Sequence, residues 1–221
     1  MPAIVSHNER RDQIAEVVKR IIAESGMDSV TVRNVAREAG FSSTIVGHYF
    51  RDKRDLLAYT YGTLRTHGIE LVDKAFGDEM TVHECFESLL PTNPSNLSDW
   101  QVWFGFWGKA ISDPDLAAER LAAIEATNEL FQRILKRGMD RGELPKHLDV
   151  TVHAIRLQVF INGLASFVVT QPSAWPPEAQ RTMLTAEIDM MRSIDKKPTA
   201  GAKKKAQSAS SKKKTRRSSS A

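Results

Sequence analysis

Cysteine is nearly absent from this 221-residue chain, which contains only Cys85. A single thiol cannot form an internal disulfide, and it cannot supply the set of thiolates that a structural metal cluster needs. We therefore expect a protein of a reducing compartment whose stability comes from a hydrophobic core. The simplest role for Cys85 is that of a small buried apolar residue.

The sequence also lacks a long apolar run. The most apolar stretch, residues 157–169, has only thirteen residues and contains Gln158 and Asn162. A membrane-spanning helix needs roughly 20 apolar residues, so this stretch is too short to cross a bilayer. The first residues, MPAIVSHNERRDQ, contain no apolar signal core. These features predict a cytoplasmic protein with no membrane partner.

Catalytic and metal-binding motifs are missing as well. The six histidines form no HExxH pattern, and the sequence has no nucleophile elbow and no glycine-rich phosphate loop. We expect surface or packing roles for His67, His83 and His153. The sequence therefore predicts no enzymatic activity, no cofactor and no metal site.

Basic charge is concentrated at the C-terminal end. Residues 195–221 contain ten lysines and arginines and one aspartate, although the net charge of the whole chain is only +4. This segment is rich in lysine, serine and alanine and has no aromatic residue, so it cannot bury apolar surface and is predicted to be disordered. Two roles remain open: attraction to DNA phosphates without sequence preference, or solubilisation alone.

Everything before this tail is predicted to be helical. Apolar residues recur at helical spacing, and neither strand-like alternation nor an internal repeat is visible. We expect longer helices over approximately these ranges: 7–25, 53–76, 81–91, 100–111, 114–141, 149–170 and 176–194. The predicted fold class is all-α.

Residues 31–50, TVRNVAREAGFSSTIVGHYF, predict two short helices joined by a glycine turn. Thr31 and Ser42 are expected N-caps, and Gly40 can adopt the positive φ of a helix C-cap. On the second helix the outward residues are small or polar: Ser43, Thr44, Gly47 and His48. Its apolar residues, Ile45, Val46 and Phe50, are expected to face inward and to hold this helix against its scaffold. The pattern is typical of a helix-turn-helix, whose second helix enters the DNA major groove, although an ordinary helical hairpin has the same spacing.

The block from Ile14 to Leu57, which ends in H-Y-F-R-D-K-x-x-L-L, resembles the N-terminal domain of TetR-family repressors. Within this family the chain is most similar to the BetI type, whose members answer to choline, because a W-x-x-F-W motif at Trp103 is followed by the Asp-Pro pair ending at Pro114. The resemblance implies a three-helix DNA-binding domain at residues 1–55. It also implies a helical effector-binding and dimerisation domain at residues 56–194, followed by the tail at residues 195–221.

The resemblance further implies roles for individual residues. Three hydroxyl side chains would approach base edges: Ser42, Ser43 and Thr44. Four polar side chains would contact phosphates: Thr31, His48, Tyr49 and Lys53. For His48 and Tyr49 the alternative is packing against the first helix. Gly47 departs from the family pattern, since many members have tyrosine there, so a contact common in the family is missing.

The last two predicted helices, residues 149–170 and 176–194, are candidates for a homodimer interface. The first is apolar on nearly all sides, and small residues such as Gly163 and Ala165 permit close helix approach. The FINGL segment at residues 160–164 is similar to a DGL sequence in this helix of many family members, whose fold pairs these helices. Burial within one monomer core is the alternative.

An aromatic cluster, WQVWFGFWGK, indicates a possible effector site. Four of its residues fall on one helical stripe: Trp100, Trp103, Phe104 and Trp107. Aromatic faces attract quaternary ammonium groups, so a choline-like effector would be physically satisfied here, with Glu70, Asp73 or Glu125 as acidic partners. A purely structural core stripe is the alternative.

These observations predict a dimeric, ligand-responsive repressor that binds double-stranded DNA and is released by a small-molecule effector. Such a protein would be associated with the nucleoid. The alternative is an architectural DNA-binding protein that depends on its basic tail.

Overall fold

The computed structural model describes residues 6–77 and 79–194, with side chains at all of these except residues 71–77. The described part contains helices and no strand. In chain order the helices are α1 (His7–Ser25), α2 (Val32–Ala39), α3 (Ser43–Tyr49), α4 (Lys53–Gly77), α5 (Val82–Glu87), α6 (Pro94–Ala110), α7 (Pro114–Asp140), α8 (Val150–Thr170) and α9 (Pro177–Arg192). The predicted all-α fold is confirmed. The basic tail, residues 195–221, lies outside the described residues.

Most helix ends follow capping signals that are visible in the sequence. Ser6 and Glu9 form a capping box, in which the Ser6 Oγ accepts from the Glu9 N–H at 3.1 Å and the Glu9 carboxylate accepts from the Ser6 N–H at 2.6 Å. Asp113 caps α7, with Pro114 at its first position. The predicted helix starts at residues 7, 53 and 114 are therefore confirmed.

The predicted start of α6 is wrong. The sequence NPSNLS predicts a turn before a helix that starts at Trp100, but α6 begins six residues earlier, at Pro94. The Asn93 side chain accepts from the Asn96 N–H at 2.9 Å, and the Asn96 amide donates to the Ser88 and Leu90 carbonyls at 2.9 Å each. Asparagine and proline are turn residues, but they are also the N-cap and first residue of many helices, and here the capping role prevails.

One continuous hydrophobic core joins the first helices to the rest of the chain. Val18 of α1, Val35 of α2 and Val46 of α3 are fully buried in it. Val102 and Phe106 of α6 belong to the same cluster. The helices before and after residue 55 are therefore packed against each other, and a shift of α6 can be transmitted to α1.

A second core lies among α5, α7, α8 and α9. Phe86, Leu135, Leu157 and Leu184 are fully buried there, and Cys85 is buried as expected for a small apolar residue. An ion pair between Arg156 Nε and a Glu187 carboxylate oxygen at 2.6 Å connects α8 to α9 at the surface. The last two helices are thus fixed to each other by both apolar and charged contacts.

Helix α8 has nearly the predicted bounds, residues 149–170, and extends beyond the thirteen-residue apolar run that was judged too short to cross a membrane. Its 21 residues are long and apolar enough to cross a membrane by length and composition alone. One face is buried in the second core, through Ala154, Leu157 and Ile161, and the helix carries the ion-paired Arg156. The core helix of a soluble protein also passes such a test, and this packing explains the apolar composition of the inward face.

Candidate nucleic-acid interface and effector cavity

Helices α2 and α3 are joined by a tight turn whose backbone conformation depends on glycine. Thr31 Oγ1 accepts from the Asn34 N–H at 3.1 Å and begins α2. Gly40 has φ of 71°, a left-handed conformation that favours glycine, and the N–H of Phe41 returns to the Ala36 carbonyl at 2.8 Å. Because this turn is so short, the orientation of α3 is fixed by the end of α2.

Helix α3 presents a small polar face to solvent. Ser42 caps it by accepting from the Ile45 N–H at 3.2 Å. The exposed side chains include those of Ser43, Thr44 and His48. Hydroxyl groups of this size allow close approach of a helix to base edges, so the geometry is compatible with a recognition helix.

The expected inward position of Ile45 is wrong. Val46 and Phe50 are fully buried, but Ile45 is 43% exposed. With only seven residues, α3 contacts its scaffold along one narrow line, which Val46 and Phe50 occupy at a spacing of four. Ile45 is rotated by about 100° from Val46 and so lies beside this line. An apolar side chain is therefore part of the outward surface of α3.

The residues expected to contact phosphates lie around the ends of α2 and α3. His48 and Tyr49 pack against each other with ring centroids 5.3 Å apart, and Tyr49 is 4.8 Å from the His7 ring of α1. Lys53 is half-buried, with Nζ 3.4 Å from the Met27 carbonyl. His48 and Tyr49 therefore pack against neighbouring rings, and neither side chain is fully buried. Arg33 of α2, which the sequence motif did not single out, is also exposed.

A cation and aromatic rings hold α3 and α4 against α1. The guanidinium of Arg11 lies 4.8 Å from the Phe50 ring and 4.0 Å from the Tyr59 ring, and it pairs with Asp55 at 3.6 Å. Tyr59 donates to the Asp12 carboxylate at 2.7 Å. Burial and this carboxylate raise the pKa of the Tyr59 phenol. The helix-turn-helix is thus supported by a defined side-chain network.

A half-open cavity of about 150 Å³ lies beneath α4 and is lined by α4, α6, α7, α8 and the segment after α5. Three of the four predicted effector residues line it: Trp100, Trp103 and Trp107. Phe104 is not part of the lining, and it packs beside Trp100 and Trp107 with ring centroids 5.7 and 5.0 Å away. The aromatic stripe is therefore both a packed cluster and a cavity wall.

Two polar atoms in the aromatic wall are buried without a hydrogen bond to the described residues: Tyr61 Oη and Trp107 Nε1. Burial raises the pKa of the Tyr61 phenol, while the nearby Trp107 N–H and Arg120 act in the opposite direction. The Trp100 N–H, in contrast, donates to the Leu89 carbonyl at 2.9 Å. Tyr61 Oη and Trp107 Nε1 therefore partly satisfy each other and form a polar point in the aromatic wall.

The charged residues of the cavity were not foreseen from the sequence. Arg120 of α7 lies with its guanidinium 3.8 Å from the centre of a Trp107 ring, and burial lowers its pKa. Asp99 of α6 lies in the wall 3.9 Å from Lys19 of α1. Burial raises the pKa of Asp99, and Lys19 opposes this effect.

Two of the three acidic partners proposed for a cationic ligand are not part of the described cavity lining. Glu70 and Glu125 are exposed and are not part of its lining, and the side chain of Asp73 lies outside the described residues. The sequence contained no signal for Arg120 or Asp99, because their positions depend on how α6 and α7 pack.

Helices α8 and α9 carry large apolar side chains on their outer faces. Val159 is 67% exposed, Phe167 is 61% exposed and Met190 is 51% exposed. Val152 and Ile155 continue the row on α8. A row of this kind on two adjacent helices is typical of a protein interface, and it coincides with the surface predicted to form a dimer.

Two family models match the chain. Residues 14–60 match the model of bacterial regulatory proteins of the tetR family. Residues 79–193 match the model described as BetI-type transcriptional repressor, C-terminal.

Similar proteins carry names of the same kind. The chain is 31% identical to the HTH-type transcriptional regulator PksA of Bacillus subtilis over 180 residues, which cover 78% of this chain and 84% of that protein. It is 29% identical to the HTH-type transcriptional regulator BetI of Pseudomonas fluorescens over 122 residues, 52% of this chain and 62% of BetI. The match thus spans less than two thirds of BetI.

Solved structures share the fold. A transcriptional regulator from Rhodococcus superposes with a TM-score of 0.72 at 23% identity, covering 82% of this chain and 95% of that one. A putative transcriptional regulator from Saccharomonospora viridis, solved in complex with choline, has a TM-score of 0.73 at 22% identity, covering 82% of this chain and 96% of that one.

Proposed function

This chain belongs to the TetR family of bacterial transcriptional regulators, with a BetI-type C-terminal part, and from this premise we propose that it is a dimeric repressor released from its operator by a small molecule. The observation that carries the proposal is the exposed hydroxyl face of α3, which is packed against α1 and α2. The same chain contains a cavity that a small molecule could enter. Names within the family indicate a regulator and not an enzyme.

In this proposal residues 1–55 bind DNA, with Ser42, Ser43 and Thr44 at the base edges. Phosphate contacts come from Thr31, His48, Tyr49 and Lys53, and they position α3 without specifying sequence. The exposure of the three hydroxyl residues and the clustering of His48 and Tyr49 at the end of α3 support this division.

The dimer would form through α8 and α9. Their exposed apolar row would be buried against the same row of a second copy, since a twofold axis brings identical surfaces together. Two copies of α3 would then enter successive major grooves, about 34–36 Å apart or a multiple of that distance, on a near-palindromic operator.

Release would follow from ligand binding in the cavity, within residues 56–194. The Lys19–Asp99 pair connects the cavity wall to α1, and α1 and α6 share the first core. A ligand that binds better when α6 is shifted would favour a geometry in which the two α3 helices no longer fit the operator. The effect on DNA affinity would equal the difference in ligand affinity between the two states.

A choline-like cation is one candidate effector. Three indole side chains and Tyr61 line the cavity, and aromatic faces attract quaternary ammonium groups. The fold neighbour from Saccharomonospora viridis was solved with choline, which supports the same candidate by likeness. Against it, the Trp107 face is already covered by the Arg120 guanidinium.

Replacing Val159 with glutamate tests the dimer and the operator together. A charge in the centre of the apolar row should convert the dimer to a monomer that keeps its helical circular dichroism spectrum. Because a monomer presents only one α3, its footprint on operator DNA should weaken or disappear. Sedimentation equilibrium and footprinting at moderate salt measure the two effects.

Leu121→Glu is the matched control, since Leu121 is an apolar residue of α7 that is 57% exposed and lies outside the α8–α9 row. This variant should stay dimeric and bind the operator like the original chain. A Val159→Glu variant that remains dimeric would refute the interface, and a lack of any preferred DNA site in the unchanged chain would refute the repressor.

A further inference from the structure

In the described lining of the cavity beneath α4, basic side chains outnumber acidic ones. Three of its lining residues are charged at neutral pH: Arg65, Asp99 and Arg120. Asp99, the one acid among them, is paired with Lys19 at 3.9 Å. Neither arginine makes an ion pair with a described residue. Among the described lining residues, a ligand that enters this space therefore meets two guanidinium groups without an ion-pair partner and one carboxylate that is already paired.

Arg120 occupies one of the aromatic faces that a bound cation would use. Its guanidinium is 3.8 Å from a ring centre of Trp107, well within the range of a cation–π contact. A trimethylammonium group would have to displace this internal cation or share a wall with it, and like charges at such distances repel. The Trp107 face of the aromatic wall thus already makes a cation–π contact with the protein's own Arg120.

The two buried polar atoms of the wall lie close together. An indole N–H is only a donor, and the Trp107 N–H acts on Tyr61 Oη, so the phenol O–H is the donor that lacks an acceptor. Carboxylate oxygens are acceptors, whereas a quaternary ammonium group has none. Arginine adds donors in a planar fork that matches a carboxylate.

We propose that the cavity binds a small amphipathic anion, with Arg120 holding its acidic head group and excluding cations of the same shape. The proposal rests on the effector role given above to this cavity, and it assigns the charge class of the effector. Leu64, Leu130 and Ile161 in the wall would contact the apolar part of the ligand. A cavity of roughly 150 Å³ has room for an apolar group of about the size of benzene, so the apolar part is one small ring or a short branched chain.

Three probes of one shape and different charge test the assignment. They are the carboxylate of tert-butylacetic acid, choline, and the uncharged analogue of choline in which carbon replaces nitrogen. Thermal shift and calorimetry are measured with the full chain. The carboxylate should raise the Tm of the unchanged protein and bind most tightly of the three.

Replacing Arg120 with methionine keeps an apolar side chain over Trp107 and removes the charge. This variant should bind the carboxylate about tenfold to a hundredfold more weakly, the loss expected when hydrogen bonds to a charged group are removed. Choline should bind more tightly to Arg120→Met than to the unchanged chain. Arg120→Lys, which keeps the charge, should retain the preference for the anion. Lys136→Met, an exposed change on the same helix outside the lining, should behave like the unchanged chain.

Tighter binding of choline than of the carboxylate to the unchanged chain would overturn the assignment. So would carboxylate affinity that is equal in Arg120→Met, or no carboxylate binding at tens of millimolar. Operator release is measured separately. If choline both binds and releases DNA, the charge class is wrong and the repressor proposal stands. If the carboxylate binds through Arg120 but neither it nor the other probes release the operator, the site stands and the effector role fails.

Discussion

The contact between α1 and α6 leads to a prediction about two glycines of one helix. A Cβ atom added at Gly105 would lie 3.0 Å from Ile22 Cγ2 and 3.7 Å from Met27 Cε, whereas a Cβ at Gly108 would have no neighbour within 4 Å. Ile22 is 4% exposed and β-branched, so its methyl group cannot easily move aside. Gly105→Ala and Gly108→Ala therefore add the same methyl group to the same helix. They differ only in the room that the surrounding side chains leave for it.

The expected effects on stability have opposite signs. Alanine in a helix interior is favoured over glycine by about 0.5–1 kcal/mol, so Gly108→Ala should raise the free energy of unfolding by that amount. Gly105→Ala has the same backbone gain, but overpacking of a core contact costs typically about 1–3 kcal/mol. Its net effect should lie between no change and a loss of about 2.5 kcal/mol.

Urea unfolding followed by circular dichroism at 222 nm measures this difference. Because about 1 kcal/mol changes the Tm of a chain of this size by roughly 2–4 °C, melting curves should separate the two variants as well. Gly105→Ala should also alter operator affinity, because the added methyl group presses on Ile22 of α1. The affinity for a ligand in the cavity should change less. Equal stabilisation by both substitutions would refute the close α1–α6 contact.

The remaining predictions concern DNA. Tyr49→Phe and Lys53→Ala should weaken binding to all DNA sequences by a similar factor, whereas Thr44→Ala should change the order of preference among operator variants, because only the last residue is assigned to base edges. Competition assays with a panel of operators measure both, and equal losses for all three would contradict the division. Removal of residues 195–221 should reduce affinity and its dependence on salt but preserve the footprint. Loss of most binding on tail removal would favour the architectural alternative.

Local signals in the sequence were sufficient to predict most of the helices. Thr31, Gly40 and Ser42 act at distances of three or four residues, and each has the capping role or backbone conformation that its chemistry predicted. The α6 start failed because Asn93 and Pro94 suit both a turn and a helix N-terminus. What decided between them was Asn96, whose amide is held by carbonyls of the preceding segment.

The composition of the cavity could not be predicted in the same way, because its charge depends on pairings between distant residues. The Trp stripe is visible within eight positions of the sequence, and taken alone it favours a cation. Its environment is set by Arg120, which comes from the next helix, and by Lys19, which comes from α1 and pairs with Asp99. Both contacts require the α1, α6 and α7 packing to exist first. An aromatic motif thus predicts an effector surface, but the sign of the charge that it accepts is determined by the tertiary fold.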